Sequence, residues 1–211
     1  MMKVLLISGK QGSGKSALRR AICDNIVNAV HVSLATPIRM ICRYFGDGVD
    51  EVNETYELGM DIDVETRQVL NFIATQWGRS VDPQIWAKCA VHKLKTLQTG
   101  WKWDDSQIDS KFMAVLDDFR FKNEVELISK HFTVRTLRLE CQQHVRNQRA
   151  KYWGDPDHIS ETDLDSGFQF DAVIDSSQPV HETHRQAFEC MKQWGYLREE
   201  ILIGIRPNNK I

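Results

Sequence analysis

Lys3-Val4-Leu5-Leu6-Ile7-Ser8-Gly9-Lys10-Gln11-Gly12-Ser13-Gly14-Lys15-Ser16 is the stretch whose reading decides the fold. Its first half is apolar and unbroken, the pattern of a strand buried on both faces of a sheet. The apolar run is too short for a signal peptide, and no small-residue cleavage site follows it. The second half, Gly9 to Ser16, matches G-x-x-x-x-G-K-[ST] in full. Each fixed position has a physical reason. Glycines let the backbone turn through positive φ and bring N–H groups up to phosphate oxygens. A helix beginning near Gly14 points its positive end at the same oxygens. Lys15 places a cation between the β- and γ-phosphates of a triphosphate, and Ser16 offers a hydroxyl to Mg²⁺. Gly12, Ser13, Gly14, Lys15, Ser16 and Ala17 are therefore candidate nucleotide-binding residues, with ATP and Mg²⁺ as the expected cofactors.

Outward from this loop, strands and helices alternate. Gly14 to about Asn28 reads as a helix, Ala29 to Leu34 as a second strand, and Thr36-Pro37 as the start of a helix running to about Phe45. Gly46 to Asp63 is acidic, with no Lys or Arg between Arg43 and Arg67, and reads as an exposed loop. The spacing predicts helices over 64–77 and 83–97, with Asp63 and Asp82 placed to cap them. Phe112 to Leu116 is an apolar strand ending in Asp117-Asp118. A helix (122–131), a strand (133–139), a polar Arg- and His-rich segment (141–160), a short strand (171–174), a helix (179–194) and an edge strand (201–205) complete the pattern. Strands separated by helices imply a mostly parallel sheet with helices on both faces. The expected fold is thus α/β, a P-loop NTPase three-layer sandwich forming a single domain over 1–211. Its core comprises 1–36, 106–140 and 161–211, with a helical acceptor-binding insertion at 37–105 and a small lid at 141–160.

Composition narrows the function. Hydrophobic residues make up 42% and charged residues 27%, so a sizeable core is expected. Lys plus Arg total 27 against 29 Asp plus Glu, a net charge of -2, which argues against a stable nucleic-acid partner. No apolar run reaches the ~20 residues of a membrane span. Five scattered cysteines without a C-x-x-C fit reduced thiols and a cytoplasmic location. The oligomeric state is open, a homodimer included.

A phosphate-binding loop needs a carboxylate at the end of a neighbouring strand to hold Mg²⁺ or its water. Asp117 and Asp118 supply it; being adjacent they point in different directions, so only one faces the metal. No N-K-x-D segment marks a GTPase, and the strand ends Asp-Asp-Phe-Arg rather than Asp-Glu. A kinase for a small acceptor needs an insertion after the second strand and an arginine-bearing lid, and both occur in that order. Phosphoryl transfer asks for positioning and charge neutralisation, which the planar, always-charged guanidinium supplies. Trp77 is the tryptophan nearest the proposed acceptor site.

The chain resembles the deoxynucleoside monophosphate kinases of tailed bacteriophages, relatives of the adenylate-, guanylate- and thymidylate-type kinases and of dephospho-coenzyme A kinase. The resemblance covers most of the chain. It rests on the phosphate loop, Ala35-Thr36-Pro37-Ile38-Arg39, Gln76-Trp77-Gly78-Arg79, Asp118-Phe119-Arg120-Phe121-Lys122-Asn123-Glu124 and His158-Ile159-Ser160-Glu161. It implies phosphorylation of a deoxynucleoside monophosphate to the diphosphate, in the host cytoplasm if the gene is a phage's. It implies that Arg39, Arg79 and Arg120 bind the acceptor; Trp77 and Asp118, close to them in sequence, are further candidate acceptor contacts. It implies that Lys15, Arg79, Arg120, Arg146 and Arg149 act on the moving phosphoryl group, and that the turn holding Ser177 and Pro179 receives the adenine. Arg39 stands where the family commonly has lysine, and Ile73-Ala74-Thr75-Gln76 stands where a G-T-E run is more usual, which leaves base specificity open. Three other readings remain: another small-molecule kinase of the dephospho-coenzyme A, shikimate or gluconate type, a nucleotide-dependent binding or switch module, and a DNA-packaging or repair ATPase, which the -2 charge does not favour.

Overall fold

The computed structural model describes residues 2–45, 69–100, 113–149 and 158–197. The acidic 46–63 segment, Trp101, Trp103 and Trp153, the middle of the expected lid and the expected strand 201–205 lie outside them. Five strands, β1 (Lys3–Gly9), β2 (Ala29–His31), β3 (Met113–Leu116), β4 (Thr133–Glu140) and β5 (Ala172–Asp175), form one sheet in the order β2-β3-β1-β4-β5. Every described pairing is parallel. β1 is central, and its alternation divides the core. Val4 and Leu6 face one cluster, while Leu5 and Ile7 face the other. All four are fully buried, as a parallel sheet covered on both faces requires.

Helices α1 (Lys15–Asn25) and α8 (Val180–Gln193) cover the Leu5/Ile7 face. Leu18 and Ile22 of α1, and Ala187, Phe188 and Met191 of α8, are the buried residues that do so. The C-terminus of α8 closes as the glycine expected there permits. Gly195 has φ +69, and the N–H groups of Gly195 and Tyr196 donate to the carbonyls of Lys192 and Met191. The other face carries α2 (Thr36–Phe45), α3 (Gly78–Val81), α4 (Ile85–Gly100) and α5 (Lys122–Ser129). Two short helices, α6 (Gln143–Arg149) and α7 (Ile159–Thr162), lie between β4 and β5 in sequence.

Two expected elements differ in a way that matters for the site. β2 stops at His31 rather than Leu34, because the Asp118 carboxylate takes the N–H groups of Leu34 and Ala35 at 3.1 and 3.0 Å. The predicted 64–77 helix does not end at Trp77. It passes through a π-helical turn, Phe72–Trp77, and continues as α3. The Gly78 N–H donates to the Ile73 carbonyl, one residue further back than in an α-helix, which leaves the Ala74 carbonyl without its usual partner. The indole N–H of the buried Trp86 on α4 takes its place at 2.7 Å. Gly78 is what lets that ring approach: a Cβ there would lie 2.3 Å from a Trp86 ring carbon and 2.8 Å from the Ile73 carbonyl oxygen. Gly78→Ala is therefore expected to destabilise the fold by about 1–3 kcal/mol through overpacking. Urea unfolding followed by tryptophan fluorescence measures it, and an unchanged midpoint would show that the helix crossing is not glycine-dependent.

Candidate functional site

The parallel sheet brings its strand C-termini to one edge. Gly9, His31, Asp117 and Glu140 all stand there, the edge where open α/β sheets bind ligands. The phosphate loop bridges β1 and α1. Gly9 and Gly12 have positive φ (147 and 77), and side chains there would collide. A Cβ on Gly9 would meet the Ser13 Oγ at 2.5 Å and the Leu139 carbonyl at 2.6 Å, and one on Gly12 would meet the Arg146 carbonyl at 2.8 Å. Gly14 caps α1, and Ala17 lies in its first turn. The Ser13 hydroxyl is buried with no hydrogen-bond partner, an orphaned polar atom inside the loop.

The Lys15 ammonium donates to the carbonyls of Gly9 (2.5 Å) and Lys10 (3.0 Å). Burial pushes it down to about 7, and the positive charge of Arg120 pushes the same way. Asp117 lies beside Ser16. Its carboxylate accepts from Arg19 Nε at 3.4 Å and meets His31 Nε2 at 3.0 Å. Burial alone would raise its carboxyl, but the His31, Arg19 and Ser16 contacts outweigh that and hold it at about 2. A hydroxyl and an ionised carboxylate side by side are the hard oxygen donors that Mg²⁺ takes.

Asp118 points elsewhere, as adjacent strand residues must. Its oxygens accept from the Ser33 hydroxyl and from the N–H groups of Leu34 and Ala35, so it fixes the turn into α2 instead of facing Ser16. Of the two carboxylates expected at a metal, the geometry brings only Asp117 to Ser16. Arg39 follows on the first turn of α2, half-buried.

Arg79 is held on three sides. Its guanidinium donates to Glu124 Oε1 at 3.1 Å and to Asn123 Oδ1 at 3.0 Å, and lies 3.5 Å over the Phe121 ring. The side chains of Arg79 and Glu124 are 12% and 5% exposed, so this ion pair belongs to the interior. Glu124 also accepts from the N–H groups of Arg120 and Phe121, which start α5. Burial pushes its carboxyl up to about 7 against those donors and Arg79. The D-x-R-F-x-N-E run is thus largely a bracket: Asp118 holds the approach to α2, and Phe121, Asn123 and Glu124 hold Arg79. Trp77, two residues before Arg79, is half-exposed.

Arg120 turns toward the phosphate loop and pairs with Glu161 at 2.8 Å. The two arginines expected to close over phosphates bond to backbone carbonyls near the ends of β4 and β5. Arg146 Nε donates to the Cys141 carbonyl, and Arg149 donates to the Ser176 carbonyl at 2.9 Å. These contacts tie α6 to the ends of β4 and β5, beside the turn expected to receive adenine. Ser177 there accepts from the Gln142 N–H at 2.8 Å, and Pro179 caps α8. The structure therefore groups Lys15, Ser16, Asp117 and Arg120 at one place. It sets Arg79 with Glu124, and Arg146 and Arg149 with the β4 and β5 ends.

Sequence reasoning missed His31, Lys10 and Asp165. A histidine at the end of the strand next to the Asp117 strand was a readable signal for the first. Lys10 and Arg138 both pair with Asp165, and Arg138 lies 5.4 Å from the Phe170 ring centroid. Nothing in the spacing of 158–170 marks Asp165 as a partner.

No protein-family model matches the chain, and no curated protein matches it in sequence. Solved structures do share its fold. The Deinococcus radiodurans tunicamycin resistance protein superposes with a TM-score of 0.51 at 14% identity, over 92% of this chain and 96% of the other. A gluconokinase from Sinorhizobium meliloti superposes with a TM-score of 0.50 at 13% identity, over 97% and 98%. At such identities the likeness speaks for the fold alone, the α/β fold of the P-loop NTPases.

Proposed function

We propose that this chain is an ATP-dependent small-molecule kinase whose acceptor is a deoxynucleoside monophosphate. The observation that carries the reading is the grouping at the strand ends: the Lys15 ammonium on the Gly9 and Lys10 carbonyls of the phosphate loop, with Ser16, the Asp117 carboxylate and Arg120 beside it. Glycine positions that exclude a Cβ and the orphaned Ser13 hydroxyl suit a loop shaped around phosphate oxygens. In this reading 1–36, 106–140 and 161–211 form the core, 37–105 the acceptor insertion and 141–160 the lid. Ser16 and Asp117 would hold Mg²⁺, which supplies charge neutralisation on the phosphate oxygens when bound. Lys15 and Arg120 neutralise the charge that spreads over the transferred phosphoryl group. Asp118 orients the start of α2, and with it Arg39, toward the acceptor. A phosphate acceptor is already an anion at pH 7, so the site needs no strong general base. Support for this acceptor comes from the motifs that resemble the phage kinases.

A second reading has its own observation. His31 and Asp117 form a hydrogen-bonded pair beside Ser16, an arrangement able to take a proton from a hydroxyl acceptor. The gluconokinase likeness in fold is compatible with it. ADP release measured across a panel of acceptors separates the two. The expected result is stimulation at least a hundredfold over background by one or more deoxynucleoside monophosphates, on the order of what charge positioning contributes. Stimulation only by gluconate, shikimate or dephospho-coenzyme A would replace the first reading with the second. Stimulation by none would leave a binding or switch module.

A further inference from the structure

We propose that Glu161 and Asp165 are built-in competitors for the oxyanion that the cleft binds, occupying its cations until phosphate displaces them. The inference rests on the reading of the cleft as a phosphate site. Three cations converge there from three separate elements: Lys10 from the phosphate loop, Arg120 from the turn after β3, and Arg138 from β4. Both carboxylates come from one short stretch. Asp165 bonds Lys10 at 2.5 Å and Arg138 at 2.6 Å, and Glu161 bonds Arg120 at 2.8 Å. The Glu161 carbonyl also accepts from Lys10 at 3.1 Å. The cavity lined by Lys10, Arg120, Arg138 and Glu161 measures only about 10 Å³, so little free space is left between Glu161 and these cations.

Exposure separates these contacts from structural ones. Lys10, Asp165 and Arg120 are each about one-third exposed (32%, 33% and 32%) and Glu161 is 20% exposed, whereas the Arg79–Glu124 pair is almost wholly buried; Arg138, at 13%, is the one shielded member of the set. Water reaches the Lys10–Asp165 and Arg120–Glu161 pairs, so those two contribute little stability and open readily. The backbone beneath them is anchored independently. Asp163 accepts from the Lys122 N–H at 2.9 Å, and the Leu164 side chain sits in the core. Glu161 and Asp165 flank that anchor, so rotation of their side chains frees Arg120, Arg138 and Lys10 from their carboxylates without moving α7, while Lys10 keeps its bond to the Glu161 carbonyl. Glu140 also approaches Arg138 at 3.7 Å, but its side chain is 65% exposed, so Glu161 and Asp165 are the carboxylates lodged among the cations, and a multiply charged phosphate chain has to displace both.

The test titrates tripolyphosphate into the full-length protein by calorimetry. Asp165→Asn and Glu161→Gln are each expected to tighten binding about two- to fivefold, the range that partly exposed ion pairs support, and the double variant further. The two substitutions act at different cations, so if one fails to fold the other gives the reading. Unchanged or weaker binding in the folded variants overturns the inference, because carboxylates that merely hold the cations in place would weaken the site when removed. Lys15→Ala in the same titrations with ATP checks the underlying reading separately. If ATP affinity ignores Lys15, the phosphate-loop assignment fails, while the comparison of carboxylate variants on tripolyphosphate still decides the competitor role.

Discussion

Lys15→Met is expected to remove at least about a hundredfold of ATP-dependent transfer and, at pH 6, to raise the stability of the folded chain. The first effect follows from losing the only cation in the loop's own G-K-S motif at the point where phosphoryl charge develops. The second follows from its setting. Lys15 is pressed against the Gly9 and Lys10 carbonyls, and burial, then Arg120, lowers it from 10.5 to about 7. A lysine with a depressed folded value favours the folded state fully only above the unfolded value, near 10.5. That contribution is lost as pH falls through about 7, where the fold must accommodate a charge. Methionine keeps the aliphatic length and carries no charge. The gain should be on the order of 1–3 kcal/mol at pH 6 and should vanish toward pH 10, since the site's partial exposure screens part of the linkage. Thermal melts at the two pH values, with ADP release in parallel, measure both effects. A variant that melts lower than the parent at pH 6 would show that the ammonium holds the loop together.

The parts of this molecule legible from sequence are those whose cause is local. The apolar run of β1 and the glycine spacing after it carry their own reasons, so strand, loop and helix fall where the pattern puts them. The D-x-R-F-x-N-E run was visible as a motif, but its partners were not. Arg79 and Glu124 stand 45 positions apart and Asp118 reaches back to Leu34 and Ala35, so only the sheet order that places β3 beside β2 joins them. The π-helical turn was unreadable for a similar reason. Its carbonyl is satisfied by Trp86, a residue of another helix, and no periodicity within 69–81 announces that. Arg146 and Arg149 show the limit of composition. A basic segment was correctly seen between β4 and β5, yet whether a guanidinium meets phosphate or a backbone carbonyl depends on a packing that charge alone does not encode.

Arg79→Ala is expected to lose about 3–5 kcal/mol of stability, so it cannot report on catalysis by itself. Removing the guanidinium leaves the Glu124 carboxylate, 5% exposed, without its counter-charge, and breaking one side of a buried pair incurs the remaining charge's desolvation. It also strips Phe121 of the cation over its ring. The loss should depend on pH in a definite direction. The Glu124 carboxyl is raised from 4.5 to about 7 by burial, and losing Arg79 raises it further. A raised acid contributes its stability below the unfolded value, near 4.5, and loses it as pH rises through the folded one. The variant should therefore sit closest to the parent at pH 5 and furthest from it at pH 8, as urea unfolding at each would show. Arg79→Met combined with Glu124→Gln separates structure from chemistry. Glutamine can still accept from the Arg120 and Phe121 N–H groups, and no unpaired charge remains, so most of the stability should return. With the fold restored, the proposed acceptor role of Arg79 predicts that KM for the acceptor rises about tenfold or more while ATP affinity stays unchanged. A restored variant with parental KM and kcat would make Arg79 a purely structural residue and remove it from the acceptor site.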